Sequence, residues 1–197
     1  MRNKSVSIQD DFQGIELILG GARSGKSSLA EALAESSGLA VTYVATATAG
    51  DDEMTARIEQ HKEQRPHQWP VIEEPLYLAE VIRTHSKKGT CLLIDCLTLW
   101  LTNCLFGTVE QSEHNDHHKI AGWSDRKADF LKALIEAEGR VILVSNEVGQ
   151  GIVPLGEVSR RFVDESGWLH QAIAKQAGRV VFVTAGLPQV LKGPALN

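Results

Sequence analysis

The tightest constraint on this chain is the stretch from Glu16 to Leu29. An apolar run, Leu17-Ile18-Leu19, passes directly into Gly20, Gly21, Ala22, Arg23, Ser24, Gly25, Lys26 and Ser27, after which the pattern turns helical. Gly-x-x-x-x-Gly-Lys-Ser is the spacing of a Walker A phosphate loop. The glycines let successive backbone N–H groups converge on phosphate oxygens, and the helix that follows points the positive end of its dipole at them. Lys26 is then expected to reach the β- and γ-phosphates, with the Ser27 hydroxyl at a Mg²⁺ position. The plainer reading is a glycine-rich turn without a ligand. It loses weight because a strand-like run precedes the motif and a helix-like run follows it.

The totals narrow the setting. With 197 residues and 43% hydrophobic content, residues 15–197 suit a single catalytic domain with one sizeable core, and the polar residues 1–14 suit a flexible N-terminal extension. A net charge of -5 without a basic stripe argues against nucleic acid as a partner. No apolar run approaches the roughly 20 residues that span a bilayer, and the N-terminus lacks a signal-peptide centre, so a cytoplasmic protein is expected. Cys91, Cys96 and Cys104 lie in or beside apolar segments. They read as buried free thiols rather than metal ligands or a disulfide.

Along the chain, strands are expected over 15–19, 40–45, 90–95, 140–145 and 179–184. Helices are expected over 26–37, from Asp51 to Arg65, over 76–86 and 97–106, along an amphipathic segment ending near Glu138, and in the stretch before Gly178. This alternation implies right-handed crossovers and an α/β fold: a P-loop NTPase, RecA-like, with a mostly parallel sheet and helices on both faces.

Ligands of such sheets collect at the carboxyl ends of the strands. There the reading places the phosphate loop, the turn Thr46, Ala47, Thr48, the acid Asp95, the pair Asn146-Glu147, and the turn after Thr184. Asp95 ends an apolar strand and suits a Walker B carboxylate acting with Ser27 on Mg²⁺, although the cap of the helix from 97 is the alternative. Met54, Ile58 and His61 share one helix face, and Arg57, Lys62 and Arg65 surround His61 with positive charge. That cluster could clamp a triphosphate beside an imidazole; a surface or core histidine is the simpler reading. His114, Asp116, His117 and His118 lie in a polar loop without zinc spacing. Asn146-Glu147 could orient a substrate or a water, or merely form a turn with Gly149 and Gly151. Trp69, Trp100, Trp123 and Trp168 read as core or interface.

From Glu16 to Pro188 the chain resembles the bifunctional adenosylcobinamide kinase / adenosylcobinamide-phosphate guanylyltransferases. The resemblance rests on Gly20–Ser27, Tyr43-Val-Ala-Thr46, Asp51-Asp-Glu-Met54 with Arg57 and Ile58, His61-Lys62 with Arg65-Pro66, Trp69 with Glu73, and Asn146-Glu-Val-Gly-x-Gly-Ile-Val-Pro154. It implies two reactions. ATP or GTP phosphorylates adenosylcobinamide, and GTP then donates GMP to adenosylcobinamide phosphate through a guanylylated histidine. It also implies His61 and Lys26 as catalytic residues and Gly20–Ser27 as the triphosphate cradle. Guanine-nucleotide contacts follow from Thr46, Ala47, Thr48, Lys62, Glu63, Gln64, Arg65 and Glu73. The family acid falls at Asp95, Mg²⁺ is the implied cofactor, and a homotrimer is the implied assembly. Where the family pattern leads us to expect asparagine, this chain has His170. A lone P-loop small-molecule kinase, or a nucleotide-dependent binding module, are the competing readings.

Overall fold

The computed structural model describes residues 12–47, 68–107 and 122–196. Their elements are β1 (Ile15–Gly20), α1 (Lys26–Ser36), β2 (Ala40–Ala45), β3 (Val71–Glu73), α2 (Leu78–His85), β4 (Thr90–Asp95), α3 (Leu97–Phe106), α4 (Trp123–Glu136), β5 (Arg140–Asn146), α5 (Glu157–Gln176), β6 (Arg179–Thr184) and β7 (Leu187–Lys192). The strands form one sheet in the order β3-β2-β4-β5-β1-β6-β7. Every pairing is parallel except β6 with β7.

Within β1 the alternation decides the layers. Leu17 and Leu19 join a core with Trp100, Phe130, Leu143 and Leu169 under α2, α3, α4 and α5, while Ile18 faces the other way onto Ala30, Leu33 and Ala34 of α1. Buried on both faces, β1, β4 and β5 are the continuous apolar runs a parallel sheet demands. At the centre of the first layer Trp100 packs against Trp123 and Phe130, ring centroids 5.3 and 4.7 Å away, and its Nε1–H donates to Leu76 O at 3.0 Å. Trp168, expected in a core or interface, is 56% exposed.

Several sequence expectations need correction. Two strands were not foreseen: β3 has three residues and β7 alternates almost wholly exposed positions, so neither carries an apolar run. The helix expected over 76–86 starts at Leu78, because the Glu74 carboxylate accepts the Leu76 and Tyr77 N–H groups, both at 2.8 Å, and holds Pro75 in a turn ahead of it. Two residues of the expected extension, Phe12 and Gly14, contact the sheet strands. The Phe12 ring lies 4.5 Å from the Arg179 guanidinium, and Gly14 O accepts the Val141 N–H at 3.0 Å. Residues 1–11 of the expected extension lie outside the described residues.

Candidate active site

β1 delivers Gly20 to the sheet's carboxyl edge in register with Asn146 on one side and Val183 on the other. A Cβ at Gly20 would lie 2.5 Å from Ser24 Oγ and 2.6 Å from Val183 O, so the loop can turn there only without a side chain. Gly25, with φ of 96°, then reverses the chain into α1. The Lys26 side chain is nearly buried and folds back along the loop, its ammonium donating to Gly21 O at 3.2 Å. Ser24 Oγ is buried with no hydrogen-bond partner among the described residues. An ammonium folded over a glycine-rich loop at a helix N-terminus fits an anionic oxygen. Ala22 and Arg23 are exposed at the lip, and Ser27 is half-buried in the first turn of α1.

The turn between β6 and β7 braces this loop. Ala185 and Gly186 both have positive φ, 52° and 77°, as a two-residue hairpin requires. Gly186 N donates to Ser24 O at 2.8 Å, and a Cβ on Gly25 would lie 3.2 Å from Gly186 Cα.

Asp95 ends β4, half-buried, in register with Ala45 and Val144. The helix that follows starts at Leu97, and its N-cap, Cys96, makes no side-chain cap hydrogen bond. Burial pushes the Cys96 thiol up to about 11; the Asp95 carboxylate raises it further and the Lys26 ammonium opposes, so both charges act on the same small volume. Cys91 and Cys104 are pushed up to about 12, again chiefly by burial. All three cysteines are free, and as protonated thiols they are poor nucleophiles and poor metal ligands.

Thr46 is fully buried, its hydroxyl donating to Cys96 O at 2.7 Å and accepting the Cys96 N–H at 2.9 Å, so it ties the end of β2 to the start of α3. Asn103 Nδ2 donates to Thr46 O at 2.8 Å and holds the same junction from α3. Ala47 is half-buried, and Glu73 is exposed at the end of β3, in register with Ala45. Thr48, His61, Lys62, Glu63, Gln64, Arg65 and the histidines of 114–118 lie outside the described residues.

Asn146 and Glu147 follow β5, between the phosphate-loop strand and the Asp95 strand. Glu147 N donates to Gly20 O at 3.0 Å, and its Oε1 accepts the Gly149 N–H at 2.6 Å. Sequence reasoning noted His170 only as a departure from the family pattern and missed Thr98 and Ser145, which group with it behind them. The one signal of Thr98 and Ser145 is that each is a polar residue in an apolar helix or strand.

The sequence profile of the "Cobinamide kinase / cobinamide phosphate guanyltransferase" family matches residues 16–191. The chain belongs to this family. It is 58% identical over 181 residues to the bifunctional adenosylcobalamin biosynthesis protein CobP of Pseudomonas aeruginosa, covering 92% of this chain and 99% of the relative. It is 37% identical over 179 residues to the protein CobU of Escherichia coli K12, covering 89% and 98%. Among solved structures, an ATPase of a type III secretion system superposes with a TM-score of 0.51 at 12% identity, covering 87% of this chain and 51% of that one. That likeness concerns the fold, which is the P-loop, RecA-like architecture expected of the chain. In this cobinamide kinase / guanyltransferase the family match thus reaches from the second residue of β1 to the last but one of β7.

Proposed function

We propose that this chain phosphorylates adenosylcobinamide with ATP or GTP and then transfers GMP from GTP to adenosylcobinamide phosphate. The observation that carries the reading is a family match along nearly the whole chain, laid over a phosphate loop whose Lys26 ammonium folds back onto Gly21 O. In the first step the aminopropanol oxygen of adenosylcobinamide attacks the γ-phosphorus, the nucleoside diphosphate leaves, and the hydroxyl proton is lost to base. In the second, a ring nitrogen of His61 attacks the α-phosphorus of GTP and expels pyrophosphate. A phosphate oxygen of adenosylcobinamide phosphate then displaces His61 and takes the GMP. A histidine intermediate divides one hard displacement into two easier ones.

Gly20–Ser27 hold the triphosphate, and Lys26 offsets charge developing on the transferred group. Lys62, Glu63, Gln64, Arg65, Ala47, Thr48 and Glu73 are the proposed nucleotide contacts, with Thr46 shaping the turn that presents them. Ser27 and Asp95 offer hard oxygen donors suited to Mg²⁺, and no cluster of three or more His, Cys, Asp or Glu ligands occurs among the described residues. A Mg²⁺ held by these two oxygens would supply neutralisation of phosphate charge. Among the described residues no helix is long and apolar enough to cross a membrane. We place the enzyme in the cytoplasm, as a homotrimer, without nucleic acid.

The test is covalent labelling. With GTP labelled at the α-phosphate, the protein should acquire acid-labile, base-stable label that His61→Ala abolishes, while that variant keeps part of its kinase activity. Label persisting in the variant removes His61 from the mechanism. Equal loss of both activities contradicts separate roles and favours a lone kinase.

A further inference from the structure

Ser145, His170 and Glu147 are the residue types of a hydrolytic triad, but Ser145 is 1% exposed on a central strand, where no substrate reaches it. The set does something else. His170 Nε2 lies 2.7 Å from Ser145 Oγ, while its Nδ1 faces Glu147 Oε2 at 3.9 Å, an electrostatic contact beyond hydrogen-bond reach. Burial holds the imidazole below its usual range, against the pull of Glu147, so the ring carries one proton at neutral pH. That proton belongs on Nδ1, facing the carboxylate, which leaves Nε2 an acceptor.

Proton counting then orders every other bond. Ser145 gives its hydroxyl proton to His170 Nε2, so its oxygen accepts the Thr98 hydroxyl at 3.3 Å. Thr98 has no proton left, so its Oγ1 accepts both the Asn146 backbone N–H at 2.8 Å and Nδ2–H at 3.2 Å. The Asn146 amide is thereby oriented, with Nδ2 inward and Oδ1 outside the relay. The next residue, Glu147, donates its N–H to Gly20 of the phosphate loop.

We propose that His170 is a positioning residue for phosphoryl transfer: through a one-way relay by Ser145 and Thr98 it fixes Asn146 and Glu147 against the first glycine of the phosphate loop. The relay ends on a half-buried carboxamide and carboxylate at the end of β5, between the phosphate-loop strand and the Asp95 strand. The role rests on the kinase reading above; the relay rests on the hydrogen-bond geometry of a buried, singly protonated ring.

Two measurements test it. In two-bond ¹⁵N–¹H spectra of the full chain, the resonances lost in His170→Gln should show the Nδ1–H tautomer; the Nε2–H tautomer overturns the relay whether or not the protein has kinase activity. In steady-state phosphorylation of adenosylcobinamide, His170→Leu and Ser145→Ala should lower kcat about 10- to 100-fold, as expected for a misplaced reacting geometry, with nucleotide KM within about twofold. His170→Gln, which keeps an acceptor for Ser145, should recover most of kcat. Unchanged kcat in a folded Ser145→Ala protein, or no recovery in His170→Gln, overturns the role. A wild-type protein inert toward adenosylcobinamide refutes the kinase reading, and with it the role, while the tautomer still decides the relay.

Discussion

Gly25 bears the sharpest single-residue demand in the cradle. Its φ of 96° is closed to side chains at ordinary cost, and the Gly186 Cα stands 3.2 Å from where a Cβ would sit. Gly25→Ala is therefore expected to lose about 1–3 kcal/mol of stability and to weaken nucleotide binding together with it. Thermal melting with and without GTP checks this: an unchanged melting temperature and undiminished ligand stabilisation would refute the coupling. The eight residues of the loop were legible because their chemistry depends on spacing, which is local. His170 was not, since its partners Ser145 and Glu147 are 25 and 23 positions away and meet it only when α5 lies on β5. Thr46 shows the converse, for a residue well placed in the chain proves to be pinned to Cys96, 50 positions on.

Among the elements, β1, β5 and β6 are joined at the end opposite the phosphate loop by one buried carboxylate. Glu16 Oε1 accepts the Arg179 Nε–H at 2.5 Å and its Oε2 accepts the Arg140 Nη2–H at 2.8 Å, and all three side chains are fully buried. Removing one member of a buried ionic group leaves charge without compensation, so Glu16→Gln should cost about 3–5 kcal/mol. Urea unfolding measures it; a loss under about 1 kcal/mol would mean that the guanidinium groups rely on other partners. Helix and strand positions were largely foreseen where apolar periodicity marks them. β3 and β7 escaped because edge strands with exposed residues are defined by pairing with β2 and β6, and the Glu74 turn shortened α2 through side-chain hydrogen bonds that periodicity does not record.

Over the whole molecule, the titrating groups define a stability plateau. His170 is lowered from 6.5 by burial, so the unfolded chain binds its proton first, and stability falls as pH drops below about 6.5. Asp129, hydrogen-bonded by Arg83, is lowered from 3.8. Glu165 is also lowered, from 4.5: burial opposes this, but Trp123 and Lys127 outweigh it by hydrogen bonding. Both carboxylates deepen the loss in stronger acid. The three thiols are raised from 9.0, so their contribution holds below pH 9 and fades as the pH climbs toward their folded values. Unfolding midpoints across pH should be flat between about 6.5 and 9, and His170→Gln should flatten the upper part of the acid limb; an unaltered acid limb would refute the assignment. By itself the amino-acid order determined the phosphate loop, the α/β alternation, the place of Asp95 at a strand end and the family, because each is written in near neighbours or in periodicity. The tertiary structure alone decided the strand order, the hairpin that braces Ser24, the pinning of Thr46 and the relay through His170, because each depends on hydrogen bonds between groups that only the folded sheet brings within 3 Å or so of one another.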